Sequence, residues 1–229
     1  MAYTTIDDPR LHFQSVLFAG NGSGASSTQS ITLGGDSDMQ PDLVWFKKRD
    51  GAEDHELFDS IRGVQKALDS NNNNAEATGR GLTAFNSNGF TVGNGTDSGN
   101  QGATNEINKN FVCWCWKAGG SASSDSNGDI TSSVSASTTA GFSIVSYTGN
   151  GSNNQTVGHG LSVAPAVMIF KNRDDTNNWA VYHHKNTSAP ATDYLSLSTS
   201  AATADDSSLF NDTAPTSSVF TIGSASDTG

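Results

Sequence analysis

Hydrophobic residues along this chain come in short bursts, and most bursts alternate with polar positions. Phe13–Ala19 reads Phe-Gln-Ser-Val-Leu-Phe-Ala, and Phe111–Lys117 reads Phe-Val-Cys-Trp-Cys-Trp-Lys. Period-two alternation over five to eight residues predicts half-buried strands rather than helices. Strands are predicted near 12–19, 29–33, 42–48, 55–59, 82–85, 89–93 and 110–118, and again near 142–148, 154–158, 166–172, 179–184, 194–198 and 218–223. Two runs, Leu-Val-Trp-Phe at 43–46 and Val-Met-Ile-Phe at 167–170, are apolar without interruption. Such runs predict central strands covered on both faces, with Trp45 and Trp114 as core residues.

The bursts recur. "FQSVLFAGNG" from Phe13 matches "FSIVSYTGNG" from Phe142, an offset of 142 − 13 = 129. "PDLVWFKKRD" from Pro41 matches "PAVMIFKNRD" from Pro165, an offset of 165 − 41 = 124, and "NGFTVG" from Asn88 matches "SVFTIG" from Ser218. Blocks in one order with drifting offsets are duplicated units with loop-length changes. The repeat also decides an ambiguity. "ELFDSIRGVQKALDSN" has near-helical apolar spacing, but its counterpart "WAVYHHKNTSAPATDYLSLS" carries Pro190 and β-branched and aromatic residues, which no continuous helix accommodates. A strand over 56–59, with at most a helical turn after it, is therefore expected. The whole reads as all-β: two tandem antiparallel β-sandwich units of jelly-roll type. The first spans residues 1–120 and the second 141–229, joined by a Gly/Ser-rich linker at 121–140 in which Ile130 and Val134 have room for a short strand. "NGFTVG" is followed by the aromatic strand at 111–117, whereas nothing like that strand follows "SVFTIG", so the second unit is expected to lack its last strand.

Composition narrows the function classes. Charged residues make up 15% of the 229, with 24 glycines, five prolines and a net charge of −11. No basic stripe is present to meet phosphates, which argues against nucleic acid, and an anionic membrane surface is equally disfavoured. No apolar stretch is long enough to span a bilayer as a helix. "MAYTTIDDPR" lacks the basic and apolar regions of a signal peptide, so synthesis in a cytoplasm is expected.

Candidate chemistry is sparse. Cys113 and Cys115, the only cysteines, share a strand face about 6–7 Å apart, too far for an unstrained disulfide, and no second thiol pair completes a zinc site. They are expected as buried free thiols. Asp36, Asp38 and Asp42 lie on one glycine-bearing loop and are the candidates for calcium, weakly so because the spacing of a full calcium loop is missing. Of four tryptophans, Trp116 near a strand end and Trp179 after a polar loop are the candidates for stacking on a sugar ring. No nucleophile motif or phosphate loop is found. The expectation is a chain that is not an enzyme and takes no cofactor.

The combination "YTTIDDPRLHFQSVLFAGNG", "DMQPDLVWFKKRD", "LTAFNSNGFTVG", "FVCWCWKAGG" and "TVGHGLSVAPAVMIFKNR" resembles a repeated β-domain of marine phage virion structural proteins of tail-fibre type. The resemblance covers nearly the whole chain. It implies a virion structural protein (a fibre, receptor-binding or decoration component) made in the host cytoplasm, found in the virion, and partnered with itself or other virion proteins as a homo-oligomer. The alternative is a lectin-like module that binds host surface glycan. Tyr3 and Ile6 are expected to contribute to assembly, as a strand donated to the open second unit of a neighbouring copy.

Overall fold

The structure is a computed structural model that describes residues 6–22, 27–93 and 102–229. The chain divides into two compact units: Met1–Asp69 with Glu76–Ser121, and Ser70–Ala75 with Ala122–Gly229. Both are built from antiparallel sheets, and the protein is all-β. Among the described residues no helix is long and apolar enough to cross a membrane.

Unit 1 contains β1 (Phe13–Ala19), β2 (Gln29–Ile31), β3 (Leu43–Lys48), β4 (Glu56–Asp59), β5 (Lys66–Asp69), β6 (Ala77–Thr78), β7 (Leu82–Asn86), β8 (Gly89–Val92) and β9 (Asn110–Trp116). One sheet runs β1-β9-β3-β4-β5-β6 and the other β2-β8-β7. Alternation sends Val16, Phe18, Val44, Phe46, Phe58, Cys113 and Cys115 to the inner side, where they meet Ile31, Leu82, Phe90 and Val92 of the second sheet. Phe46 lies edge-on to Phe58 and Phe90 at 5.6 and 5.3 Å, a favoured arrangement of aromatic quadrupoles. Gly89 makes the β7–β8 hairpin possible: its φ is +112°, and a Cβ there would lie 2.0 Å from the Ile31 carbonyl oxygen.

Unit 2 contains β10 (Ser123–Asp125), β11 (Ser132–Ser137), β12 (Phe142–Ser146), β13 (Gln155–Gly158), β14 (Val167–Phe170), β15 (Ala180–His183), β16 (Asp193–Ser196), β17 (Ala204–Asp205), the one-turn helix α1 (Ser207–Phe210) and β18 (Val219–Ile222). Its sheets are β10-β11-β12, β14-β15-β16-β17 and β13-β18. Val157, Phe170, Ala180, Tyr182, Leu209, Phe210, Phe220 and Ile222 form its core. The repeat maps β1, β2, β3, β4 and β8 onto β12, β13, β14, β15 and β18. Phe46 and Phe170 are both buried in their cores. Lys47 and Lys171 both curl onto the loop after their strand: Lys47 Nζ donates to the Gly51 carbonyl at 3.5 Å and Lys171 Nζ to the Asp175 carbonyl at 3.1 Å.

Two expectations differ from what is found, and α1 is an element that the strand pattern does not announce. Of the segment at 121–140, read as a linker, residues 122–140 belong to unit 2 and form β10 and β11, where Val134 is buried and Ser132 Oγ donates to the Gly158 carbonyl. The counterpart of β7 is α1, where Asp206 caps the turn by accepting from Ser208 N. The run Leu43–Phe46 is not covered on both faces: Val44 and Phe46 are buried, while Leu43 and Trp45 are only partly so.

Candidate functional site

The outer face of the β1-β9-β3 sheet carries a set of side chains that unit 1 does not bury. Register places them in rows across three strands. Phe13 pairs with Trp116, which pairs with Leu43; Ser15 pairs with Trp114, which pairs with Trp45; Leu17 pairs with Val112, which pairs with Lys47. The two strand-edge residues of β1 are open to solvent, Phe13 at 41% and Leu17 at 63%. Ring centroids of Phe13 and Trp116 lie 5.0 Å apart, those of Trp45 and Trp116 6.4 Å, and those of Trp45 and Trp114 6.2 Å. Four aromatic rings thus form a connected apolar platform on a sheet surface, with the core on the other side of the same strands. Trp45 and Trp114, expected in the core, stand on this outer face. They do so because β3 and β9 pair in a register that aligns Trp45 with Trp114 and Phe46 with Cys113.

Of the predicted sugar-stacking residues, Trp116 is part of the platform and Trp179 is not. Trp179 is buried within unit 2, and its indole N–H donates to the Asn72 carbonyl at 3.0 Å, so neither ring face is open to a ligand. The residues sequence reasoning missed are Phe13, Leu17, Trp45 and Trp114. The alternation of Phe13, Ser15 and Leu17 with Gln14, Val16 and Phe18 was the available signal.

The calcium candidates do not converge. Asp36 pairs with Arg10, and Asp38 accepts from Asn88 Nδ2 at 2.8 Å. Asp42 is fully buried and accepts from the amides of Ala118 and Gly120 at 2.8 and 3.1 Å, from Ser60 Oγ at 3.1 Å and from Lys117 Nζ at 3.2 Å. It is a structural anchor that ties the end of β9 to the start of β3, with its oxygens already committed. Among the described residues no group of three or more His, Cys, Asp or Glu side chains is placed to hold a metal ion. Of the residues expected to take part in assembly, Tyr3 lies outside the described residues and Ile6 is partly buried.

The two thiols are free and buried on the core face. Burial pushes Cys115 up to about 12. It raises Cys113 well above the ordinary thiol value, with the neighbouring Cys115 adding to the effect. Both are packing groups, not nucleophiles.

The nearest thing to catalytic electrostatics lies inside unit 1. Glu56 faces Asp69 across β4 and β5, and Arg80 pairs with Glu56 at 3.2 Å. Glu56 is 1% exposed, and burial raises its carboxyl to about 7 against the pull of Arg80, with Asp69 and Asp54 adding to the rise. A substrate has no access to a carboxyl this enclosed, so its charge is a stability matter. The folded state holds the proton more tightly than the unfolded chain. The associated stabilisation is full below the ordinary glutamate value of 4.5 and is lost as pH rises through about 7. Glu56 alone is expected to make unit 1 about 3 kcal/mol less stable at pH 8 than at pH 4.5. Glu56→Gln should flatten that dependence. Urea midpoints across the range check this, and an unchanged pH profile in Glu56→Gln would overturn it.

Residues 8–229 match the family described as a domain of unknown function, DUF7483, and the chain belongs to that family. Searches of curated proteins and of solved structures find no match.

Proposed function

We propose that this chain is a structural and attachment component of a phage particle, and that the aromatic face of unit 1 is its attachment surface. The observation that carries the attachment reading is the platform of Phe13, Trp45, Trp114 and Trp116, with Leu17 exposed at its border. A pyranose ring presents one face of C–H groups, and indole faces attract it by dispersion and by their negative quadrupole. What supports the particle assignment is the resemblance of the repeated motifs to marine phage fibre-type proteins. The polar, glycine-rich composition suits a β-built surface component.

The expected result is saturable binding of host surface polysaccharide by the purified chain, weakened at least about tenfold, or about 1.4 kcal/mol, by Trp116→Ala and by Trp45→Ala. Leu17→Asp should weaken it too, and since that side chain leaves the core untouched, circular dichroism should not change. Binding unaffected by all three substitutions would reject the aromatic face. Immunogold labelling of particles decides the location. Absence from the particle, with glycan binding intact, would turn the assignment to a free lectin-like module.

A further inference from the structure

In unit 1, β9 lies between β1 and β3, pairing with β1 over Phe13–Ala19 and with β3 over Leu43–Lys48. The equivalents in unit 2 are β12 and β14. Among the described residues β12 pairs with β11 alone and β14 with β15 alone, and no strand joins them. The gap has a consequence in the core. Val44 is buried beside Cys113 and Cys115, whereas its counterpart Met168 remains half-buried. On the other face of β14, Val167 and Ile169 are 48% and 49% exposed, where unit 1 has Leu43 and Trp45 beside β9.

One end of the gap is already shaped for an incoming chain. In unit 1 the backbone approaches Gly20 so closely that a Cβ there would lie 2.3 Å from the Glu106 carbonyl oxygen, and it then turns into β9. At the equivalent Gly149, a Cβ would lie 2.3 Å from the Gly229 carbonyl carbon. Tyr147 donates to the Thr228 carbonyl, and Asn172 Nδ2 donates to the Ser226 carbonyl at 2.7 Å. Residues 226–229 therefore hold the approach, together with Arg173, whose Nη1 donates to Ser146 Oγ at 3.4 Å; beyond them, among the described residues no strand pairs between β12 and β14. Asp50 in unit 1 captures the first residue of β9, accepting from Asn110 N at 3.1 Å and from its Nδ2 at 3.0 Å. Asp174 stands in the equivalent place and is exposed. Asp42, which fixes the far end of β9, is replaced by Ala166.

We propose that the gap between β12 and β14 is an acceptor for one extended polypeptide strand with the alternation of β9, entering antiparallel to both neighbours. Its first residue is a hydrogen-bond donor captured by Asp174. Its inward residues are small and apolar, closing over Val145, Met168 and Phe170, and its outward residues are large and apolar, lying beside Val167 and Ile169. Unit 1 displays this occupant in place. Within this chain β9 is held on both edges, the segments at 23–26 and 94–101 hold one alanine and no larger apolar residue, and the segment at 1–7, which would place Tyr3 and Ile6 on opposite faces of an extended chain, lacks the row of large apolar residues on one face that Val112, Trp114 and Trp116 give β9. Main-chain hydrogen bonds along two edges supply affinity, and the alternate side chains supply selectivity.

The test uses the chain as it stands and a labelled peptide of residues 109–118 with both cysteines replaced by alanine. Saturable binding is expected, with new hydrogen-exchange protection confined to β12 and β14. Ile169→Lys, an exposed position that leaves the core intact, should weaken binding at least tenfold, and Asp174→Asn by several-fold. A peptide with the same residues in an order that abolishes alternation should not bind. Absence of binding, equal binding of the reordered peptide, or protection that falls on β1 and β3 would each overturn the proposal. So would preferential binding of a peptide of residues 1–7, which would give the gap to the N-terminal segment of a second copy.

Discussion

Asp42→Ala should unfold unit 1 at a markedly lower urea concentration, with a loss of roughly 3–5 kcal/mol. The carboxylate is fully buried and accepts from four donors on two parts of the chain: Lys117 and the amides of Ala118 and Gly120 after β9, and Ser60 after β4. Truncation leaves two amides without their acceptor in a place water does not reach, and it removes the counter-charge from Lys117. Hydrogen bonds to a charged group are each worth more than neutral ones, and the desolvation of the orphaned donors is not recovered. Asp42→Asn keeps one oxygen acceptor and should cost about half as much. Unit 2 supplies an internal control. Ala166 occupies the same position, and its carbonyl accepts from His184 N at 2.9 Å just as the Asp42 carbonyl accepts from Ser60 N at 2.8 Å. Among the described residues β14 pairs with β15 alone and no strand end is tied beside Ala166, so Ala166→Asp should bring no gain. A wild-type urea midpoint in Asp42→Ala, followed by tryptophan fluorescence, would show that the anchor is dispensable.

Phe46→Ala and Phe170→Ala should differ although they alter the same position of the repeat. Phe46 is fully enclosed, edge-on to Phe58 and Phe90 and beside Cys113 on the neighbouring strand. Its removal leaves a cavity the size of a phenyl ring in a core closed on both sides, at a cost of about 4 kcal/mol. Phe170 also contacts two rings, Phe210 at 5.4 Å and Phe220 at 5.3 Å, but its neighbour Met168 is half-solvated beside the open gap. A site that can relax or admit water loses less, so roughly 2–3 kcal/mol is expected there. Hydrogen exchange of the β8 and β18 amides reads each unit separately. Equal losses would mean that the gap does not loosen the core of unit 2.

Much of this fold is legible in the sequence because the chain states it twice. The strand at Glu56–Asp59 is ambiguous alone, and Pro190 in its counterpart removes the helical option. The short strands β5 and β6 are not legible, since two to four residues bear no periodicity, and Gln65 turns into β5 with a φ of +62° that no motif announces. The hairpin of β10 and β11 hides in serine-rich chain, where β structure is imposed by docking Val134 against a core that the local sequence does not reveal. The site is legible only in half. Alternation says that Trp114 and Trp116 share a face opposite Cys113 and Cys115. It does not say which face is inside, and in β3 the unbroken run Leu43–Phe46 conceals the distinction. The buried cysteines settle it: small thiols fit the closed side, and the indoles take the outer one, where they are half-buried.

The burial of the thiols has a practical chemical consequence. Disulfide exchange, alkylation and oxidation all begin from the thiolate, and with Cys115 at about 12 and Cys113 well above its ordinary value almost none forms at neutral pH. The folded chain is therefore indifferent to passage between a reducing and an oxidising medium. A cysteine introduced on its surface, for instance at the exposed Ser162, would be its single reactive thiol, so a maleimide probe can be attached to the native sequence without first removing Cys113 or Cys115.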